Sequence, residues 1–173
     1  MSSAKAKESL EPRTETMQSQ GSSAGTDLNV DANGQVVRVY SGTYDTAELK
    51  AESSGSIHVL GDLTINDKLQ ITADHSATVL IPFKVTCDDL EVTSEYSSNV
   101  NSDDLEATSS FKLTVEKAST ASLHLVLSCP ITGSITESST ANLWIHWPNG
   151  KQPIDLNVDG GSVLQVRDWS GVH

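Results

Sequence analysis

Two successive segments decide the fold: DLEVTSEYSSNVNSDDLEATS (residues 89–109) and SFKLTVEKASTASLHLVLSCP (residues 110–130). Each begins with alternating apolar and polar residues, passes through a cluster of small residues, and ends in a second alternating run. Such alternation predicts β-strands that are buried on one face. The same arrangement recurs when the chain is divided at residues 47, 68, 89, 110 and 131, which gives a repeat of about 21 residues.

The clusters of small residues set the phase of this repeat. Each leads into a predicted strand position, and these positions are Ile57, Val79, Val100, Leu123 and Leu143, spaced 22, 21, 23 and 20 residues apart. Periods of this length are typical of stacked repeats, in which each unit buries its apolar face against its neighbours. We therefore predict an all-β, single-stranded β-solenoid of about five to six coils, with essentially no helix.

The alternative fold is an antiparallel β-sandwich, which also has short strands at regular spacing. Asn-Gly and Asp-Gly turns, typical of antiparallel hairpins, are nearly absent between the predicted strands. The recurrent Ser/Thr/Ala clusters suit the corners of a coil. Aromatic residues make up only 5% of the chain, and a narrow solenoid needs fewer large side chains than a sandwich does. In this interpretation VVRVY (Val36–Tyr40) is the first strand.

The chain divides into three predicted parts: a disordered tail over residues 1–28, a β-solenoid domain over residues 29–169, and a short C-terminal tail over residues 170–173. The first part is rich in Ser, Glu, Lys, Gln, Thr and Gly, and this composition does not repay the entropy of ordering.

The formal net charge is −12 and the pI is about 4.6. An acidic surface repels phosphate backbones, so nucleic acid is excluded as a partner. No apolar run is long enough for membrane insertion. No apolar signal segment precedes the domain, which predicts a cytoplasmic protein. The alternative is the cell surface, if the chain is a processed or trimmed form.

Cys87 and Cys129 are 42 residues, or two repeats, apart. Two coils rise by about 9–10 Å, whereas a disulfide needs Cα atoms within about 7 Å. The repeat therefore predicts two free thiols, in line with a reducing compartment.

The repeat pattern resembles the auto-transporter adhesin head domain family, also called the GIN domain. The matching stretches are Gly55–Ile65, Asp88–Leu125 and Glu137–Val166. The resemblance implies a β-helical fold and a surface or adhesive role, with no catalytic residues to carry over. This chain departs from the family in lacking a visible signal or lipoprotein segment and in having Ser-rich rather than Gly-rich clusters, as a divergent member would.

Acidic residues recur at predicted strand starts, and the candidate cation ligands are Asp88, Asp89, Asp103 and Asp104. Carboxylates stacked on adjacent coils would suit calcium. The favoured interpretation is that these side chains cap turns by bonding to the local backbone, and we expect no resident cofactor.

Three tryptophans lie in the last 30 residues: Trp144, Trp147 and Trp169. They predict either an aromatic surface for a partner or a cap over the open end of the solenoid. His58 and His124 occupy the middle of apolar triplets, where side chains face outward.

No nucleophile motif is present, and we expect a protein that is not an enzyme. The expected role is structural or adhesive, with a surface for protein partners or for self-assembly. The alternative is a carbohydrate- or calcium-binding module.

Overall fold

A computed structural model describes residues 26–169. It is a β-solenoid of about seven turns, each of about 21 residues, with no helix. The predicted solenoid is confirmed. Every strand pair is parallel, so the sandwich alternative is wrong. The predicted tails lie outside the described residues, apart from residues 26–28. The described residues include no helix that could cross a membrane.

Fourteen strands make up the coils. They are β1 (Asp27–Asn33), β2 (Val36–Val39), β3 (Gly42–Tyr44), β4 (Thr46–Glu52), β5 (Ser56–Val59), β6 (Leu63–Ile65), β7 (Lys68–Asp74), β8 (Thr78–Glu95), β9 (Asn99–Val115), β10 (Thr120–Leu127), β11 (Ile131–Ile135), β12 (Thr140–His146), β13 (Ile154–Val158) and β14 (Val163–Asp168).

The strands stack in three rows, which form the three sides of the coil. The first row runs through β1, β4, β7, the ends of β8 and β9, β11 and β13. The second row begins with β2 and β5, continues through the starts of β8, β9, β10 and β12, and ends at β14. The third row begins with β3 and β6, continues through the middle of β8 and β9, and includes the ends of β10, β12 and β14. Because β8 and β9 run around two corners without a break, they are longer than the pattern predicted.

The core is a column of aliphatic side chains, one from every second residue of each strand. In the first row Leu49 pairs with Ile71, and Ile71 pairs with Val92, and all three are fully buried. Residues between them face solvent, as β10 shows with its strict alternation of half-buried and buried positions. Each coil therefore packs its apolar face only on the coils above and below.

Five of the seven corners between the first and second rows contain two consecutive residues with positive φ. The pairs are Ser53–Ser54, His75–Ser76, Tyr96–Ser97, Lys117–Ala118 and Glu137–Ser138. This conformation is costly for residues other than glycine, but the backbone groups at the corner are satisfied by the next coil. For example, Ser76 N–H donates to Tyr96 C=O over 2.9 Å and Ser97 N–H donates to Lys117 C=O over 3.0 Å. The predicted clusters lie at these corners or begin directly after them.

A buried serine ladder follows the corners. Its members are Ser98, Ser119 and Ser139, each at most 1% exposed, and half-buried Ser162. The N–H of each buried serine donates to the hydroxyl oxygen of the next ladder serine over 3.1–3.2 Å. Ala77 N–H donates to Ser98 in the same way. The ladder thus satisfies buried backbone donors that lie beside the sharpest turn of each coil.

Three details of the predicted fold are wrong. A strand, β1, precedes Val36–Tyr40, and it begins two residues before residue 29, where the solenoid domain was predicted to start. The alternation of Leu28, Val30 and Ala32 was a usable signal for this strand. There are about seven coils rather than five to six, because the first and last coils turn without a Ser/Thr/Ala cluster. The residues in register with Val100 are Ala121 and Ala141, so the predicted phase at Leu123 and Leu143 is two residues late. The sequence pattern favours the leucines because alanine is less apolar than leucine and gives a weaker signal in the alternating pattern.

We predict that Ser119→Ala lowers the free energy of unfolding by about 1–3 kcal/mol, because it leaves the buried Ser98 N–H without its acceptor. Ser109→Ala is the control, since Ser109 is exposed and its loss should change stability by less than about 0.5 kcal/mol. Urea unfolding of both variants measures the difference. Equal stabilities for the two variants would show that the ladder contributes nothing.

Glycine is required at position 133, where φ is +134° and an added Cβ would lie 1.8 Å from Leu113 O. Gly133→Ala should therefore destabilise the protein by about 3 kcal/mol or more. Gly160→Ala is the matched control, because an added Cβ there has no neighbour within 4 Å. Thermal unfolding followed by circular dichroism compares them. A Gly133→Ala protein as stable as the control would contradict the close approach of these two coils.

Candidate interaction surface

The four predicted cation ligands fall into two separate pairs. Asp88 and Asp89 lie where the third row turns into the first, and each accepts a hydrogen bond from the next coil: Thr108 Oγ1 donates to Asp88 over 2.9 Å and Ser110 Oγ to Asp89 over 2.8 Å. These bonds link neighbouring coils through side chains. The two carboxylates therefore act as corner acceptors here, although their partners are hydroxyls rather than the expected backbone groups.

Asp103 and Asp104 lie at a different corner, where the second row turns into the third. Asp103 is exposed, and Asp104 Oδ1 is buried without a hydrogen-bond partner. Within residues 26–169, no three His, Cys, Asp or Glu side chains are grouped so that they could hold a metal ion. The structure does not bring the two predicted pairs together, and calcium binding stays a prediction.

The same corner carries a line of outward-facing side chains, which we call the aromatic edge: Tyr40, Leu60, Phe83, Asp103, His124 and Trp144. Tyr40 and Leu60 follow the paired residues Val39 and Val59. Phe83 lies on the next coil, in the short segment where β8 and β9 lose register. His124 then lies opposite Asp103 and Asp104, where β9 and β10 lose register, and it pairs with Trp144.

The first part of the aromatic edge is an exposed apolar strip. Tyr40 is 42% exposed, Leu60 39% and Phe83 41%. Large apolar side chains are thus exposed at the same corner of three consecutive coils, and exposed apolar patches mark interaction sites. The sequence pattern missed this strip because these residues continue or follow predicted strands. A usable signal was that Tyr40 and Leu60 each stand directly after an inward valine, and Phe83 stands two residues after the inward Ile81.

The second part of the aromatic edge is a packed group of rings. His124 stacks on Trp144 with centroids 4.6 Å apart, and Trp169 meets His124 edge-on at 5.2 Å. The guanidinium of Arg167 lies over the Trp144 ring at 5.5 Å. His124 Nδ1 is also 3.2 Å from Ser102 O. The rings are held in fixed positions on the last three coils.

The predicted tryptophan group is thus divided. Trp144 and Trp169 lie on the outer surface around His124, whereas Trp147 is half-buried and packs against the core. Together they leave Ile154, Val158 and Val166 of the last coil about 40% exposed. Their role as a partner surface or as a cap stays a prediction.

A second outward line of side chains lies at the corner between the first and second rows. His75 stacks on Tyr96 with centroids 4.4 Å apart, and Lys117 Nζ lies 4.9 Å from the centre of the Tyr96 ring. His75 Nδ1 is 2.8 Å from Asp74 Oδ1. His75, Tyr96 and Lys117 are spaced 21 positions apart in the sequence, so the repeat itself was a signal that they would stack.

Burial and neighbouring charges shift the pKa of several groups from their ordinary values. Burial, reinforced by Asp88 and other acidic neighbours, raises the pKa of the Cys87 thiol to about 12. Burial and then the neighbouring charge of Arg38 lower the pKa of His58. Burial also raises the pKa of Glu95, with help from Glu116 and Asp74.

Cys87 and Cys129 are free and buried, which confirms the predicted free thiols. We predict that neither reacts with a thiol reagent in the folded protein at about pH 8, because the reactive thiolate is suppressed by burial. Unfolding in guanidinium should release both thiols for reaction, and Cys87→Ala should reduce the released thiols to one. Rapid labelling of the folded protein would contradict this burial.

Comparison with known proteins gives no match. No protein-family model matches the chain, and neither a curated protein nor a solved structure does.

Proposed function

We propose that this protein is a non-enzymatic structural or adhesive β-solenoid: a rigid, acidic rod that presents ordered side chains to protein partners or to further copies of itself. The observation that carries the proposal is the exposed strip of Tyr40, Leu60 and Phe83 on three consecutive coils. Large apolar side chains exposed at the same corner of consecutive coils favour a binding surface over a purely solvated face. Membership of the GIN-type adhesin heads is part of this proposal.

The rod supports display because its outward side chains are fixed by parallel pairing. Each strand is hydrogen-bonded to the equivalent strand of the next coil, at a spacing of about 4.8 Å. A partner therefore meets a rigid row, and it does not have to order the surface it binds. Tyrosine and phenylalanine are also among the residues enriched at protein interfaces.

The acidic groups support a structural role over a chemical one. Asp88 and Asp89 accept hydrogen bonds from the next coil, and Asp62 accepts one from Lys84 N–H over 3.1 Å. Carboxylates used in this way join coils to one another. A protein partner fits the mixture of aliphatic and aromatic groups on the strip better than a sugar, which would stack on aromatic rings alone.

We predict that Phe83→Ser and Tyr40→Ser each weaken binding of a protein partner by about tenfold or more, as truncation of an aromatic anchor does. Tyr96→Ser is the matched control, because Tyr96 is equally exposed at 42% but lies at the other corner. Affinity capture by the full chain, quantified by mass spectrometry, identifies proteins retained by the control and lost from both strip variants.

An identical captured set for all three variants would overturn the role of the strip. A glycan array and calorimetric titration with calcium test the alternative module. Calcium binding with a matching increase in thermal stability, or selective glycan binding lost in Phe83→Ser, would replace the protein-partner proposal.

A further inference from the structure

The two ends of the solenoid differ in how much apolar surface they expose. In the last coil, the inward-facing Ile154, Val158 and Val166 are 40%, 37% and 41% exposed. In the first coil, the equivalent inward-facing Val37 and Val39 are 3% and 0% exposed. Half-buried Leu156 and Leu164 lie between the exposed residues of the last coil. The C-terminal end therefore presents the cross-section of the core to solvent.

The same end presents unpaired backbone groups. Within residues 26–169, β13 pairs only with β11 and β14 only with β12, and the first-coil strands β1, β2 and β3 are likewise paired on one side only. Each strand therefore has one edge whose N–H and C=O groups are free to pair with another chain. An occupant that satisfies both the apolar cross-section and the two edges must itself be a β-structure with an apolar inner face.

Residues 1–25 and 170–173 do not have the composition of a β-structure that would match this surface. They contain only four large apolar residues, namely Met1, Leu10, Met17 and Val172. The last coil itself has the required composition. It is also nearly neutral, because residues 148–169 contain two basic residues (Lys151 and Arg167) and three acidic residues (Asp155, Asp159 and Asp168). In a chain of net charge −12, two copies repel each other least when they approach through this end.

We infer that the last coil, formed by β13 and β14, is a homodimer interface through which two copies stack end to end. This inference rests on the proposed structural role and names one partner for it. The first coil does not serve as the opposing surface, because its apolar side chains are already buried and head-to-tail contact would bury little more. Stacking through the same coil is isologous, so it closes at a dimer and does not grow into a filament.

The geometry of such a dimer follows from the parallel coil. When one copy is turned over to face the other, its chain runs around the axis in the opposite sense. The strands that meet across the two-fold axis are therefore antiparallel, and the dimer is a continuous rod of about fourteen coils. Asp168 is the one carboxylate at an inward position of β14, and its Oδ1 lies 3.9 Å from Lys151 Nζ. This pair reduces the repulsion that Asp168 would otherwise cause at the interface.

The test is sedimentation velocity of the full chain over about 1 μM to 1 mM, the range expected for a small interface. We expect a monomer–dimer equilibrium without larger species. Val166→Lys and Val158→Lys should each raise the dissociation constant at least tenfold, because each puts a charge on the buried cross-section. Val36→Lys is the control, because Val36 is 38% exposed but lies on the first coil, and it should leave the dimer unchanged.

A chain that is monomeric at every concentration would overturn the inference, as would a dimer that persists in both last-coil lysine variants. Equal weakening by Val36→Lys would show that an added charge anywhere on the chain weakens the dimer, and growth beyond a dimer would indicate head-to-tail stacking; either result would overturn the inference. Circular dichroism confirms that each variant is folded. Capture through the Tyr40 and Phe83 strip is measured on the same variants, so that failure of the dimer and failure of the proposed display surface are distinguishable.

Discussion

The whole molecule depends on a single geometric constraint: after about 21 residues the chain must return to the same position, one strand spacing further along the axis. The sharp corner that makes this possible uses two consecutive residues in the left-handed conformation, which L-amino acids adopt at a cost of about 1–2 kcal/mol each. The next coil offsets that cost. It supplies carbonyl acceptors for the corner N–H groups and, one residue later, the buried serine hydroxyls. The backbone N–H groups of a corner find their acceptors only in the next coil, so the coils are stable only as a stack.

Much of this fold could be predicted from the sequence because the constraint repeats. Alternation gives strands and the small clusters give corners, so the pattern of residues was enough to place Ser53–Ser54 and Ser97 at turns. The register could not be placed as well. Ala121 and Ala141 occupy positions that Val100 holds one and two coils earlier, and small apolar residues scarcely affect a periodicity. The first and last coils were miscounted for a similar reason, since they turn at Asn33–Gly34 and at Asp159–Ser162 without the repeated cluster.

The candidate surface was harder to predict than the fold. Trp144 and Asp103 were both singled out from the sequence, for different reasons, and the structure places them on one corner with His124 opposite Asp103. That neighbourhood depends on register shifts at Ile81–Lys84 and at Leu123–Leu125, which alter the spacing by one residue. A repeat analysis averages such irregularities away. These irregularities bring chemically different residues together at the aromatic edge. The candidate surface therefore lies where the repeat is interrupted.

The buried serine ladder has a consequence for how this protein can change in length. Every rung bonds only to the rungs on either side of it, so an additional coil with its own corner and serine would extend the ladder without disturbing its neighbours. A single inserted residue would instead exchange inner and outer faces for the rest of that strand. Length in this architecture therefore varies in whole coils. Internal duplication is the natural route by which a shorter or longer rod would arise, with every existing surface carried along unchanged.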